Sequence, residues 1–159
     1  MRLIKLLENI LLEIIEIYPI NDIEKKDIKF EIKRDDKNGL IVFFTVYDRT
    51  MEMQINKSVS PIQNSYSVFF GQSLSGGKDV DISTMFNDKY KYKTLMTVFS
   101  FLKYYIEKYN IDSINYDVSG GDRDRMYEYY MKKHFSEFKK EIVELPEEDD
   151  LKLVIWKKN

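Results

Sequence analysis

Two glycines and a knot of alternating charge, Gly120-Gly121-Asp122-Arg123-Asp124-Arg125, separate an apolar-alternating run (113–119) from a stretch of aromatics at helical spacing. Glycine lets a backbone close on an anion, a helix start offers N–H groups, and arginine brings a planar fork of donors. The junction could hold an anionic ligand or partner through Arg123 and Arg125. Asp122 and Asp124 share that turn, where they satisfy the helix dipole and repel a phosphate. Arg–Asp pairing at a tight corner is the simpler expectation.

A second group of cations, Lys89, Lys91 and Lys93, alternates with Tyr90 and Tyr92 and leads into Thr94. Lysines attract phosphate, and lysines interleaved with rings suit single-stranded nucleic acid. The net charge of -2 weighs against a nucleic-acid partner. GQSLSGGKD (71–79) has the glycines of a phosphate loop at the wrong spacing, and Asp79 stands where a Ser or Thr would hold magnesium. A glycine-rich loop is expected there. His134 is the one histidine and cysteine is absent. Multi-histidine and thiolate metal centres therefore cannot be built, and no metal is expected. Lack of cysteine fits a reducing cytoplasm. The acidic turn at 147–150 does not have calcium-loop spacing.

The elements that must position these groups are legible in part. MRLIKLLENILLEIIEIYPI opens the chain with Arg2, Lys5, Glu8, Asn9, Glu13 and Glu16 on one face and Leu/Ile opposite. That pattern predicts an amphipathic helix ending at Pro19, neither a signal peptide nor a membrane span. Its broad apolar face could also pair two copies as a homodimer. Residues 28–34, 40–47, 51–57 and 66–72 alternate or are β-branched and aromatic, which predicts a four-strand meander with Asn38-Gly39 at one turn. Residues 73–92 are expected to be irregular. A helix over 93–110, a strand over 113–119, a helix over 124–138 and strands over 141–145 and 151–157 complete the chain. The length of 159 residues fits one domain, 1–159. The fold class expected is α+β, or a three-layer α/β sandwich, with a mixed sheet of about seven strands, an N-terminal amphipathic helix and two further helices. Abundant Ile, Lys, Asn and Tyr, whose codons are AT-rich, suggest a bacterial or phage genome.

This order resembles the Gcn5-related N-acetyltransferase superfamily over about residues 28–157. The most specific segment is RDRMYEYYMKKHF (123–135), similar to the family's pattern of Asn, two residues, Ala, two residues, Leu-Tyr and a terminal Gly-Phe. Phe135 matches the final Phe and Tyr130 the Tyr, while Arg123, Met126 and His134 replace Asn, Ala and Gly. The resemblance implies that Tyr130 protonates the departing thiolate of coenzyme A. It also implies that the coenzyme lies where strand 113–119 splays from strand 66–72, with its pyrophosphate on a glycine-containing loop before the first crossover helix. The equivalent stretch, 87–96, has no glycine and offers Lys89, Lys91, Lys93 and Thr94. The expectation is an acetyltransferase-like module with a degenerate coenzyme site, binding an unidentified protein partner or small molecule. The alternative is an acyl-CoA-dependent N-acyltransferase that uses acetyl-CoA and Tyr130.

Overall fold

Alternation of side chains makes the sheet, and the side on which the apolar set falls decides where the helices lie. The computed structural model describes residues 15–58, 65–74, 79–81, 88–118, 121–144 and 152–158. A short helix α1 (Ile20–Ile23) and a 3-10 turn (Glu24–Lys26) precede β1 (Lys29–Asp36), β2 (Gly39–Val46), β3 (Arg49–Lys57) and β4 (Tyr66–Leu74). Then come β5 (Asp79–Asp81), helix α2 (Asp88–Tyr109), β6 (Ser113–Val118), helix α3 (Gly121–His134), β7 (Phe138–Glu144) and β8 (Lys152–Lys158). The mixed sheet runs β1-β2-β3-β4-β6-β8-β7, with β5 paired to β4 off that path. The α+β class and the mixed sheet are as expected, and β5 is the extra strand.

Every aromatic contact between a helix and the sheet uses the same face. Phe30 of β1 meets Phe101, Tyr66 of β4 meets Tyr105, and Phe70 of β4 and Tyr116 of β6 meet Tyr127. The described helices therefore lie on one side, and none of them supplies the third layer that the sequence allowed. α2 is buried nearly all round between Thr94 and Leu102 because three neighbours cover it: the sheet, α3 and the segment leading into α1. The Tyr18 N–H donates to Ser100 Oγ at 3.1 Å, which ties that segment to the outer face of α2. Ser100 Oγ donates in turn to the Met96 carbonyl at 2.6 Å, so the buried hydroxyl is satisfied. Asn110, at φ 51°, takes the left-handed position that ends α2, and the Ile111 N–H returns to the Ile106 carbonyl at 3.0 Å.

Several boundaries differ from expectation. Residues 1–14 of the expected N-terminal helix lie outside the described residues, and 15–19 are not helical. Helix α2 begins at Asp88, so the Lys/Tyr run belongs to its first turns and not to a loop. Helix α3 stops at His134, and Phe138 already pairs with Lys158 in the terminal hairpin. Among the described residues no helix is long and apolar enough to cross a membrane.

Candidate functional site

Among the described residues, the sheet opens at the parallel pair β4–β6. These strands pair at only two positions, Tyr66 with Ile114 and Ser67 with Asn115. Beyond them β6 stays with β8 through Val118, while β4 stays with β3 as far as Gln72. Gln72 pairs with both Met51 of β3 and Asp81 of β5. β5 therefore sits on the side of β4 that faces β6. Between these two attachments, Val68–Gly71 of β4 has no strand partner on that side among the described residues.

The vertex of the opening is held by a polar cluster on the face away from the helices. Asn115 Nδ2 donates to Ser65 Oγ at 2.7 Å and to Ser58 Oγ at 3.0 Å, and Asn115 Oδ1 accepts from Ser67 Oγ at 2.9 Å. Ser65 and Ser113 hydroxyls meet at 2.9 Å, and those of Ser58 and Ser67 at 3.0 Å. Asn115 links three hydroxyls at once, so its loss removes three hydrogen bonds beside the buried Ser65 and leaves the hydroxyls only each other. Asn115→Ala is expected to lower unfolding stability by about 2 kcal/mol in a urea titration. It should leave far-ultraviolet circular dichroism unchanged.

The same face of β3 continues this cluster as a polar row through Asn56 and Gln54 to Glu52. Asn56 Nδ2 donates to Gln54 Oε1 at 3.2 Å. Glu52 is 2% exposed, and its Oε2 has no hydrogen-bond partner. Burial pushes the Glu52 carboxyl above its usual range, against the lowering effect of a hydrogen bond from Gln54. Its cross-strand neighbour on β4 is Gly71, so no β4 side chain stands between Glu52 and the open edge. A buried carboxyl without full hydrogen bonding destabilises the fold when charged. Glu52→Gln is therefore expected to raise stability at pH 7 by about 1 kcal/mol. Because the folded pKa is raised, the penalty is absent below the unfolded value of about 4.3 and grows as pH rises through the folded value. The gain from the substitution should accordingly vanish in acid.

On the helix side Tyr127 bridges the opening. Its ring stacks on Tyr116 of β6 at 4.2 Å and meets Phe70 of β4 edge-on at 6.2 Å. The Tyr116 hydroxyl accepts from Trp156 Nε1 at 3.0 Å and donates to Asp124 at 2.8 Å. Asp124 also pairs with Lys140 at 2.8 Å. Asp124 of the charge knot thus turns to β6 and β7.

The residues singled out from the sequence are distributed as follows. The Tyr130 hydroxyl is buried against α2 and donates to the Phe99 carbonyl at 2.9 Å, with the two rings stacked at 4.4 Å. Burial, and then Glu107, raise its pKa well above the usual phenol value. Lys93 donates to the Lys26 carbonyl at 3.3 Å and sits 4.8 Å above the Tyr47 ring. Thr94 is fully buried, and its hydroxyl has no hydrogen-bond partner. Lys91 and Arg125 are half-buried and engaged. Lys89 and Arg123 lie in the first turns of α2 and α3, and their side chains are outside the described set. His134 lies beside Tyr130, its rings 5.1 Å apart, and burial with Lys133 and Lys103 lowers its pKa. Lys93 and Tyr130 thus meet different neighbours, the β2–β3 hairpin and the middle of α2. Among the described residues no group of three or more His, Asp or Glu could hold a metal.

Sequence reasoning missed the polar row. Its signal was present in MEMQINKS, where positions 52, 54, 56 and 58 carry a carboxylate, two amides and a hydroxyl. Alternation there marks a strand but does not tell a covered polar face from an open one. Compared with family models, curated proteins and solved structures, this chain finds no match.

Proposed function

We propose that this chain is an acetyltransferase-like module that binds an extended ligand in the opening between β4 and β6. The observation that carries the reading is the parallel pair that separates after two residue pairs and leaves Val68–Gly71 without a strand partner on that side among the described residues. A strand edge takes an extended chain through main-chain hydrogen bonds, whether the chain is a peptide or a small molecule bearing amides. Binding is favoured over turnover by the side chains that turnover would need. Lys93 is occupied by Tyr47 and the Lys26 carbonyl, and the Tyr130 proton by the Phe99 carbonyl. Residues 87–96 have no glycine to let phosphate reach the backbone. Titration calorimetry with acetyl-CoA tests the reading. No heat of binding is expected even at millimolar ligand, and micromolar binding would overturn the degenerate coenzyme site in favour of catalysis.

A second reading, acyl-CoA-dependent N-acyl transfer, is favoured by Glu52. A carboxyl of raised pKa next to a cleft takes a proton from an attacking amine more readily than an ordinary one. Tyr130 would be the acid, after leaving Phe99. On this reading Glu52→Gln abolishes release of free thiol from acetyl-CoA.

A further inference from the structure

The two ends of the sheet are built differently. β1 breaks register with β2 between Ile32 and Arg34, and its turn is held by tyrosines of α2. β7 forms the other end and pairs with β8 without a break from Phe138 to Glu144. It holds no proline, and among the described residues no strand lies on its outer side. The main-chain N–H and C=O groups on that side are therefore a template for another strand.

The side chains of β7 divide by face. Phe138 packs on Phe135, and Lys140 reaches Asp124 at 2.8 Å and Glu128 at 3.7 Å, so these positions turn toward α3. Ile142 shares their side of the strand but is left 55% exposed, one of the two large hydrophobic side chains exposed among the described residues. Lys139 and Glu141 point to the opposite face and are exposed. Neither side chain has an ion-pair partner among the described residues.

These two free charges select the strand that fits. Turned antiparallel about Lys140, a second β7 sets its Glu141 opposite Lys139 and its Lys139 opposite Glu141. Opposite charges directly across a ladder attract. Ile142 then lies across from the partner's Phe138 and loses exposure. The two Lys140 side chains meet at the centre, each already neutralised by Asp124 and Glu128 of its own chain. Turning about Glu141 instead would set two carboxylates against each other.

We propose that β7 pairs with β7 of a second copy, joining the two sheets across a two-fold axis at Lys140. The net charge of -2 leaves little repulsion between whole copies. A foreign strand would meet the same main-chain groups, but a second copy brings the complementary pair of charges by symmetry. The contact is one strand wide, so the dimer is weak. β8 lies between β7 and β6, so the pairing leaves the β4–β6 opening free.

Sedimentation equilibrium of the full chain from about 10 µM to about 500 µM tests the proposal. A reversible monomer–dimer equilibrium is expected. Glu141→Lys and Lys139→Glu should each weaken it by about tenfold, since two attractive pairs become two repulsive ones. Both positions are exposed, so circular dichroism and melting temperature should stay level. Equimolar mixing of the two variants should restore dimers, because each lysine again faces a glutamate. A chain that is monomeric throughout overturns the proposal and leaves the edge to a different partner. Dimers that ignore both reversals overturn it too, and belong to another surface such as the apolar face expected over residues 1–14. So does failure of the mixed variants to pair, because the antiparallel match of Lys139 with Glu141 would then not exist.

Discussion

Tyr127→Ala is expected to lower the unfolding free energy by about 4 kcal/mol in a denaturant titration, as removal of a buried aromatic ring from a close-packed core does. The ring is 2% exposed and touches three elements: Tyr116 of β6, Phe70 of β4 and Phe99 of α2. Its position makes the loss more than a cavity. β4 and β6 share only two residue pairs, so past Ser67 and Asn115 no backbone hydrogen bonds run between them. What spans the gap on the helix side is this side chain. Tyr127→Leu should recover part of the stability through volume, since shape rather than polarity is lost. Tyr127→Ala should also speed amide exchange in Tyr116–Val118 more than in β2, whose partners flank it on both sides. Equal acceleration in both strands would mean that Tyr127 acts on global stability alone and does not brace the opening.

The same opening shows how far the sequence could be read. The seven longer strands were legible either because apolar and polar residues alternate along them or, as in β2 and β8, because they are runs of β-branched and aromatic residues. The parallel crossover was legible because a helix separates two strand patterns. What was not legible is a distance effect. Whether β4 and β6 remain paired depends on the fit of α2 and α3 beneath them, and periodicity carries no record of that. The Lys/Tyr run gave a misleading boundary for a related reason. Tyr90 turns inward to Asp48 and Arg49 of the β2–β3 hairpin, so tertiary contact sustains a helix there that local propensity did not demand. Glu52 was hidden by the rule that polar residues of an alternating strand face water. That rule describes a single sheet face open to solvent and fails where the face is covered. Tyr127 and Tyr130 stood together at helical spacing, and only the structure separates their roles. One bridges the strands, and the other donates its proton into α2.

Asp35→Ala is expected to lower stability by about 2 kcal/mol at pH 7, discounted for the solvent that reaches part of the site. The Asp35 carboxylate accepts from Tyr104 at 2.5 Å, from Tyr109 at 2.7 Å and from Lys108 at 2.9 Å, all on the last turns of α2. Tyr105 of the same helix donates to the Asp36 carbonyl at 2.6 Å, and Tyr66 of β4 to the Lys37 carbonyl at 2.7 Å. The β1–β2 turn is thereby clamped to a helix about 70 residues later in the chain. Partial burial pushes the Asp35 carboxyl upward, but the three donors outweigh it and leave the pKa below the usual value. The sign follows from that direction. With the folded pKa depressed, the contribution is complete above the unfolded value of about 3.9 and is lost as pH falls through the folded value. Wild type and Asp35→Asn should therefore differ at pH 7 and converge in strong acid. A difference that persists undiminished in strong acid would mean that the clamp depends on shape and not on charge. The edge strand β1 gains a specific anchor from this arrangement. Among the described residues it pairs with β2 alone, and its outward residues Lys29, Glu31 and Lys33 are charged, which discourages edge pairing with another chain. Such an edge has little burial of its own to hold it, so the tyrosines of α2 supply through one carboxylate what a second neighbouring strand would otherwise supply.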